Sequence, residues 1–501
     1  MLMKLKKFYL IAALMAAPMA SFATDYFVTP DGKGTGDGLS WDNAMSLDAF
    51  REKAAVESTE RNVYYFAEGK YIVAEPLKIY KNGCTLIGGF APDLTGTSHD
   101  TPTYPSATRT VFTGDVNQDG VANAGDAECI FTIQTDTKNG DDSKKVVLTG
   151  LDFTCAYSQA SPSDNGTSRG ALYLNNCGWV EVNDCRFYGN IAEEPAGGNA
   201  KQLGGMAFTS HRSFSVFNEC EFTENASTSR GGAIRLVSDN RRDTKDAKGK
   251  TVFNRCLIAN NTIKNDLGSA ICMQHGAYLQ IINSTITGNV AGEGASAVYA
   301  TGEDDANSRS IYIVNSTIAG NEGGVQVEVT KGDNGANLYV ANSIIVSEEG
   351  DAMSIGDVKN FGNGGMNVVG SDANGVLTWG DTDDAKAENN YAAIFGSNEL
   401  GDNGVIEPLA DKGNYTASAL DAATAGWGIE ANLTVDQTGA ERADGSTPGA
   451  YAKSTATGIT GVEAVKGGTD DAYYTLQGVK LGSRPTATGI YIHNGKKVII
   501  R

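Results

Sequence analysis

The chain has 501 residues, 41% of them apolar and 20% charged, with 61 Gly against 11 Pro and a formal net charge of −20. That composition excludes a disordered polymer. The excess of carboxylates excludes nucleic acid and anionic membrane surfaces as partners, and it leaves cations, Ca²⁺ above all, as the favoured counterparts.

At the amino terminus Lys4, Lys6 and Lys7 precede an apolar run from Phe8 to Met19 and the small-residue site around Ser21 and Ala23. This is the pattern of a secretory signal over residues 1–23, cut near Ala23. A membrane anchor is the weaker reading, because the run falls short of the ~20 residues that a bilayer-spanning helix needs. The mature chain is therefore expected to be secreted or attached at the outer-membrane surface. Residues 24–80 are expected to form an amino-terminal cap with the first strands.

The next feature is an acidic loop, in which Asp115, Asn117, Asp119, Asn123 and Asp126 stand at positions 1, 3, 5, 9 and 12, with Gly120 at position 6 and the Val121 carbonyl at position 7. That is the spacing at which alternate side chains and one backbone carbonyl converge on a hard cation, so the loop is a candidate Ca²⁺ site. It resembles a dockerin-type loop with Asp in place of the final Glu. Its flanks read as strands and it has no second copy, so an acidic solvated turn fits the same residues equally.

From about residue 81 to 348 the chain repeats itself. A Cys or Ser, an apolar residue two positions on and an Asn five positions on recur as Cys185, Phe187 and Asn190; Cys220, Phe222 and Asn225; Cys256, Ile258 and Asn261; Ser284, Ile286 and Asn289; and Ser316, Ile318 and Asn321. Between them recurs a small-small-apolar phrase, as at Gly170, Gly205, Gly232, Ser269 and Ser296. The Asn residues are 35, 36, 28 and 32 positions apart, so the unit is constant and its loops vary. Short alternating segments such as Trp179–Val182, Phe214–Phe217, Tyr278–Ile282, Ile311–Val314 and Leu338–Val340 read as strands, and no helical pattern of comparable length intervenes. These features predict an all-β fold, a right-handed parallel β-helix solenoid with eight or nine windings. Phe187, Phe222, Ile258, Ile286 and Ile318 would share one interior column, and the five Asn residues one hydrogen-bonded turn column at a spacing of ~4.8 Å. Cys185, Cys220 and Cys256 would then stack with parallel side chains, which suits buried thiols better than disulfides.

Open ends of such a rod need covering, and the irregular residues 349–452 are the expected carboxy-terminal cap. Residues 453–501 read as a linker and a small β tail, with a hairpin about Asn494 and Gly495.

Two stretches carry a resemblance. The opening from Tyr26 to Ala44, with its Gly-rich run and Trp41, and the later Leu86 to Phe90 and Thr110 to Asp115, resemble secreted right-handed parallel β-helix proteins of the pectate-lyase-like group. Asp436 to Arg442 with Pro448 to Tyr451 resembles the closing motif of β-helix proteins that carry carboxy-terminal anchors. The tail resembles, in shortened form, the sorting tails of Bacteroidetes-type surface proteins exported by the type IX route. The resemblance implies outer-membrane export machinery as a partner.

No catalytic set is evident. Asp304 and Asp305 are a carboxylate pair in what reads as an inserted polar loop. Arg212, Arg230 and Arg235 could line a groove but suit surface turns as well, and His211 and His275 would stand ~10 Å apart, too far for one metal. The function expected is a surface-displayed, adhesin-like protein binding a polysaccharide or a host or cell-surface glycoprotein. The runner-up is a polysaccharide lyase or hydrolase acting in a groove along the rod, and fold analogy alone supports it. An enzyme would bring titratable groups together beside a parallel sheet, whereas a binder would present aromatics without such a cluster.

Overall fold

Each winding closes because single residues in the left-handed region turn the chain between strands. Asp184, Glu219, Arg255, Asn283, Asn315 and Asn342 all hold φ between 46° and 58° at equivalent corners, a conformation that Asn adopts at little cost. The computed structural model describes residues 23–453, apart from 101, 103, 106–108, 160–168, 194–203, 239–248, 265–266, 275–276, 293–294, 301–308, 324, 331–335, 349, 357, 385–390, 396–407 and 409–413. It also describes 473–474, 481, 483, 485–486, 489–493 and 496–500. Of the expected signal peptide, only Ala23 lies among the described residues. His275, Asp304 and Asp305 lie outside them.

Two compact units result, residues 1–455 and 456–501. The first is a right-handed parallel β-helix. Its first sheet has 11 strands running from Asp25–Val28 to Val358–Asn363, its second has 10 from Gly69–Ile72 to Val368–Val369, and its third has nine from Leu77–Tyr80 to Met353–Ile355. A narrower ladder of four, Tyr157–Gln159 to Thr262–Ile263, fills one corner. The rod is longer than the eight or nine windings expected, because Asp25–Val28 already pairs in parallel with Asn62–Ala67 and Val358–Asn363 pairs with Ala336–Ala341. At ~4.8 Å per strand the first sheet is about 48 Å long.

The interior follows the repeat phrase. Phe187, Phe222, Ile258, Ile286 and Ile318 stand in direct register in the second sheet, and all are fully buried. The rings of Phe153, Phe187 and Phe222 lie nearly parallel at 4.7 and 5.0 Å. In the predicted turn column, Asn190 donates through Nδ2 to Oδ1 of Asn225 at 2.9 Å, Asn225 to Asn261 at 2.9 Å, Asn261 to Asn289 at 2.8 Å and Asn289 to Asn321 at 2.8 Å. Asn321 in turn donates to Gln326 Oε1 at 2.7 Å, which ends the ladder.

A second ladder runs along the corner between the first and second sheets, from Asn218 donating to Asn183 at 2.9 Å through Asn254, Asn283 and Asn315 to Asn342. The Cys and Ser of the repeat share one column. All eight cysteines are free and buried, and burial pushes the Cys185 thiol up to about 12. Where Ser replaces Cys, its hydroxyl accepts from the winding below, as Ser284 Oγ does from Cys256 N at 3.0 Å.

In one repeat the register departs from the small-small-apolar phrase by one residue. Phe208, not Ala207, aligns with Leu172 and Ile234. Met206 therefore occupies the place of Gly170 and Gly232 and is fully buried there.

At the amino-terminal end the helix Leu47–Ala54 plugs the rod. Ser46 caps it by accepting from Ala49 N, and Phe50 packs edge-on against Tyr64 and Phe66 at 4.9 and 5.0 Å. Toward the carboxy terminus, residues 426–451 run back along the side of the rod. Arg442 is the clamp: buried, it donates to the carbonyls of Val435, Gly449 and Ala450 and reaches that of Asn315. Burial lowers its pKa to about 10. In the second unit, Tyr473–Tyr474, Gly489–His493 and Lys496–Ile500 form an antiparallel sheet. His493 pairs with Lys496, and the expected turn at Asn494 and Gly495 lies outside the described residues.

Candidate functional site

Strand alternation sends one residue in two of the first sheet outward, and five of six consecutive windings place an aromatic ring in one of two neighbouring outward columns, the third winding placing Lys250 there. Phe214 aligns with Lys250 and Lys250 with Tyr278. One column over, Gln280 aligns with Tyr312 and Tyr312 with Tyr339. Trp179 precedes them, its ring 5.1 Å from that of Phe214. The Tyr312 and Tyr339 rings are stacked at 4.6 Å and 6°, and Trp427, from the segment that runs back along the rod, sits 5.1 Å from Tyr339. Gly362 makes this stacking possible, since a Cβ there would run into the Tyr339 ring.

Together these residues make a cleft of about 470 Å³, lined by Phe214, Lys250, Tyr278, Gln280, Tyr312 and Trp427, with Asn139, Gly140, Gly428 and Glu430 at its walls. Gln280 holds one wall in place. Its amide donates to Gly428 O at 2.8 Å and accepts from Glu430 N at 3.0 Å. Lys250 Nζ pairs with Glu430 at 2.7 Å and lies 5.5 Å above the Phe214 ring. The lining thus offers flat apolar faces with a few fixed polar groups, which is the make-up of a small-molecule or chain-binding cleft. Glu430 is the sole carboxylate among the lining residues, whereas general acid and base hydrolysis needs two.

Titratable groups gather elsewhere, on the outer face of the second sheet. Asp152, fully buried, accepts from both Arg109 and Arg186, and Arg109 also pairs with Asp184 at 2.9 Å. Burial works against the Arg109 charge, but the two carboxylates more than restore it and its pKa stands above normal. Burial raises the Asp184 pKa in spite of Arg109. Every charge in this cluster is paired, as in a structural ion network. On the third sheet Arg235 is buried and donates to Gln274 Oε1 at 3.1 Å. Glu328, raised by burial, stands three strands away through Cys272 and Tyr299. That is about 14 Å from backbone to backbone. Arg212 and Arg230 hold left-handed turn conformations, whereas Arg235 lies within a strand of the third sheet. Asn175 Oδ1 accepts from His211 Nδ1, 3.2 Å away.

In the acidic loop, Asp115 is buried against Lys70 at 3.0 Å. Burial alone would raise its pKa, but hydrogen bonds from Lys70, Gly120 and Asp119 hold it below the usual carboxylate range. Asn117 donates to Asn123 Oδ1, and Asn123 donates onward to Asp119 Oδ2 and to the Val121 carbonyl, 2.9, 2.6 and 3.0 Å in turn. Asp126 accepts from Val116 N and Asn123 N. The Asn123 amide thus bridges Asp119 and the Val121 carbonyl, while Asp115 faces Lys70. Among the described residues no three His, Cys, Asp or Glu side chains come together as metal ligands. Calcium would have to draw Asp115, Asp119 and Asp126 inward and compete with Lys70 for the first of them.

The cleft escapes sequence reasoning because Trp427 and Glu430 lie about 150 residues from Gln280 in the chain. The one signal available was the aromatic content of the strand segments.

No protein-family model matches the chain, and no curated protein sequence matches it. Among solved structures, the pectate lyase Pel9A shares 15% identity over 78% of this chain and 91% of its own, with a TM-score of 0.42. The pectin methylesterase from Aspergillus niger shares 14% over 74% and 90%, with a TM-score of 0.27. The likeness lies in the fold alone.

Proposed function

We propose that this is an exported, surface-displayed β-helix protein that binds glycan chains, in the manner of an adhesin, through the aromatic cleft of the first sheet. The observation that carries the reading is the run of rings from Phe214 to Trp427 beside a paired Lys250 and Glu430. Sugar rings present C–H faces that pack on aromatic planes, and hydroxyls that hydrogen-bond to fixed polar groups. The segment 1–23 serves as export signal, and the tail from 453 serves attachment through the outer-membrane export machinery. A glycan array screened with the purified chain is expected to give hits, and Trp427→Ala to weaken them about tenfold or more, the usual result of truncating a central aromatic anchor. Uronic-acid polysaccharides incubated with the protein are expected to give no ultraviolet absorbance from unsaturated products. A clear rise would replace binding with elimination chemistry.

The loop from Asp115 to Asp126 is proposed as the Ca²⁺ site, with Asp115, Asn117, Asp119, the Val121 carbonyl, Asn123 and Asp126 as its oxygen donors. Millimolar Ca²⁺ is expected to raise the melting temperature, as any ligand selective for the folded state does. The shift should vanish in Asp115→Ala, and an equal shift in that variant would place the effect elsewhere.

A further inference from the structure

Building on the glycan reading, we infer that the cleft takes an uncharged polysaccharide strand, laid along the axis of the rod, in preference to a polyuronate. Two observations carry this. The first is charge. Beside the rings of this face stand Lys145, over the Trp179 ring at 4.8 Å, and Lys250. Each is held by its own carboxylate at 2.7 Å, Glu181 for Lys145 and Glu430 for Lys250. No net positive charge therefore remains at either lysine to meet a row of carboxylates, and the chain as a whole stands at −20. A polyanion approaching this face would be repelled at long range and would have to break an ion pair at short range.

The second observation is period. Trp179, Phe214, Lys250 and Tyr278 in one column, then Tyr312 and Tyr339 in the column beside it, come from six successive windings, so the face rises ~4.8 Å per winding and extends for about 24 Å. That rise is close to the length of one extended pyranose residue. A strand parallel to the axis would set successive rings against successive windings, whereas a strand lying across the axis would meet only one or two aromatics.

The test is calorimetric titration of the full chain with cellohexaose, xylohexaose, mannohexaose and hexagalacturonate, at low and high salt, alongside the disaccharide of whichever neutral sugar binds. At least one neutral hexasaccharide should bind with an affinity that salt does not change, at least tenfold better than hexagalacturonate. The disaccharide should bind at least tenfold more weakly than its hexamer. Glu430→Gln, which releases Lys250, should raise hexagalacturonate affinity severalfold relative to that for the neutral hexasaccharide, with an unchanged melting curve as the folding control. Tighter, salt-sensitive binding of hexagalacturonate by the parent protein would overturn the preference for neutral chains while leaving the glycan reading in place. Equal affinity for the disaccharide and the hexamer would overturn the axial placement. Failure of both sugar classes to bind would overturn this inference and the glycan reading together.

Discussion

Replacing Phe222 by Asp is expected to remove roughly 5 kcal/mol or more of stability and to melt the windings on either side of it. The ring is fully buried between Phe187 and Ile258, stacked on Phe187 at 5.0 Å and set edge-on to Phe253 at 5.5 Å. Truncating such a ring costs ~3–5 kcal/mol by itself. An unpaired carboxylate in its place adds the penalty of burying a charge, or of holding it protonated. Because each winding touches only its neighbours, the damage should be local before it is global. Circular dichroism would follow the loss of sheet, and limited proteolysis should cut first near residues 187 to 258. A variant that melts with the parent would show that the column does not bear on stability as its packing requires.

The second large effect is expected at Asn261. Its Oδ1 accepts from Asn225 N at 3.0 Å and Nδ2 at 2.9 Å, and its Nδ2 donates to Phe222 O at 2.9 Å and to Asn289 Oδ1 at 2.8 Å. In Asn261→Ala the Asn225 backbone N–H loses its acceptor, and Phe222 O, Asn225 Nδ2 and Asn289 Oδ1 each lose one bond, in a place with no exposure to water. At ~1–3 kcal/mol for the orphaned group and less for the others, the loss is about 2–4 kcal/mol. Chemical denaturation read by circular dichroism checks it. A loss under about 1 kcal/mol would mean that the ladder only decorates corners set by backbone geometry.

What the chain reveals about itself follows from distance along it. The interior column and the first Asn ladder are legible because each repeat carries its own copy of Phe187 or Asn190 at a fixed offset, and parallel stacking does the rest. The second ladder is present too, but it changes position. In the Cys windings the Asn ends a strand, as at Asn183, Asn218 and Asn254, and the next residue takes the left-handed corner. In the Ser windings the Asn itself is the corner, as at Asn283, Asn315 and Asn342. The switch falls between Asn254 and Asn283, whose side chains still meet at 3.1 Å. A fixed-offset comparison misses it. The register slip at Met206 is hidden for a related reason, since Gly205 and Ala207 mimic the phrase while Phe208 has the larger apolar surface to bury. The cleft was legible only in part. Its rings sit at outward positions where the interior imposes no pattern, and its far wall folds back from residues 427 to 430.

The two ladders tie down opposite ends of the second sheet, whereas the windings differ in length chiefly in the segments entering and leaving the third. Insertions there leave every stacked amide in place. The rod can therefore vary one flank freely while the face bearing Tyr312 and Trp427 stays rigid, so a lineage of such proteins could diversify what its loops contact without retuning what its groove holds.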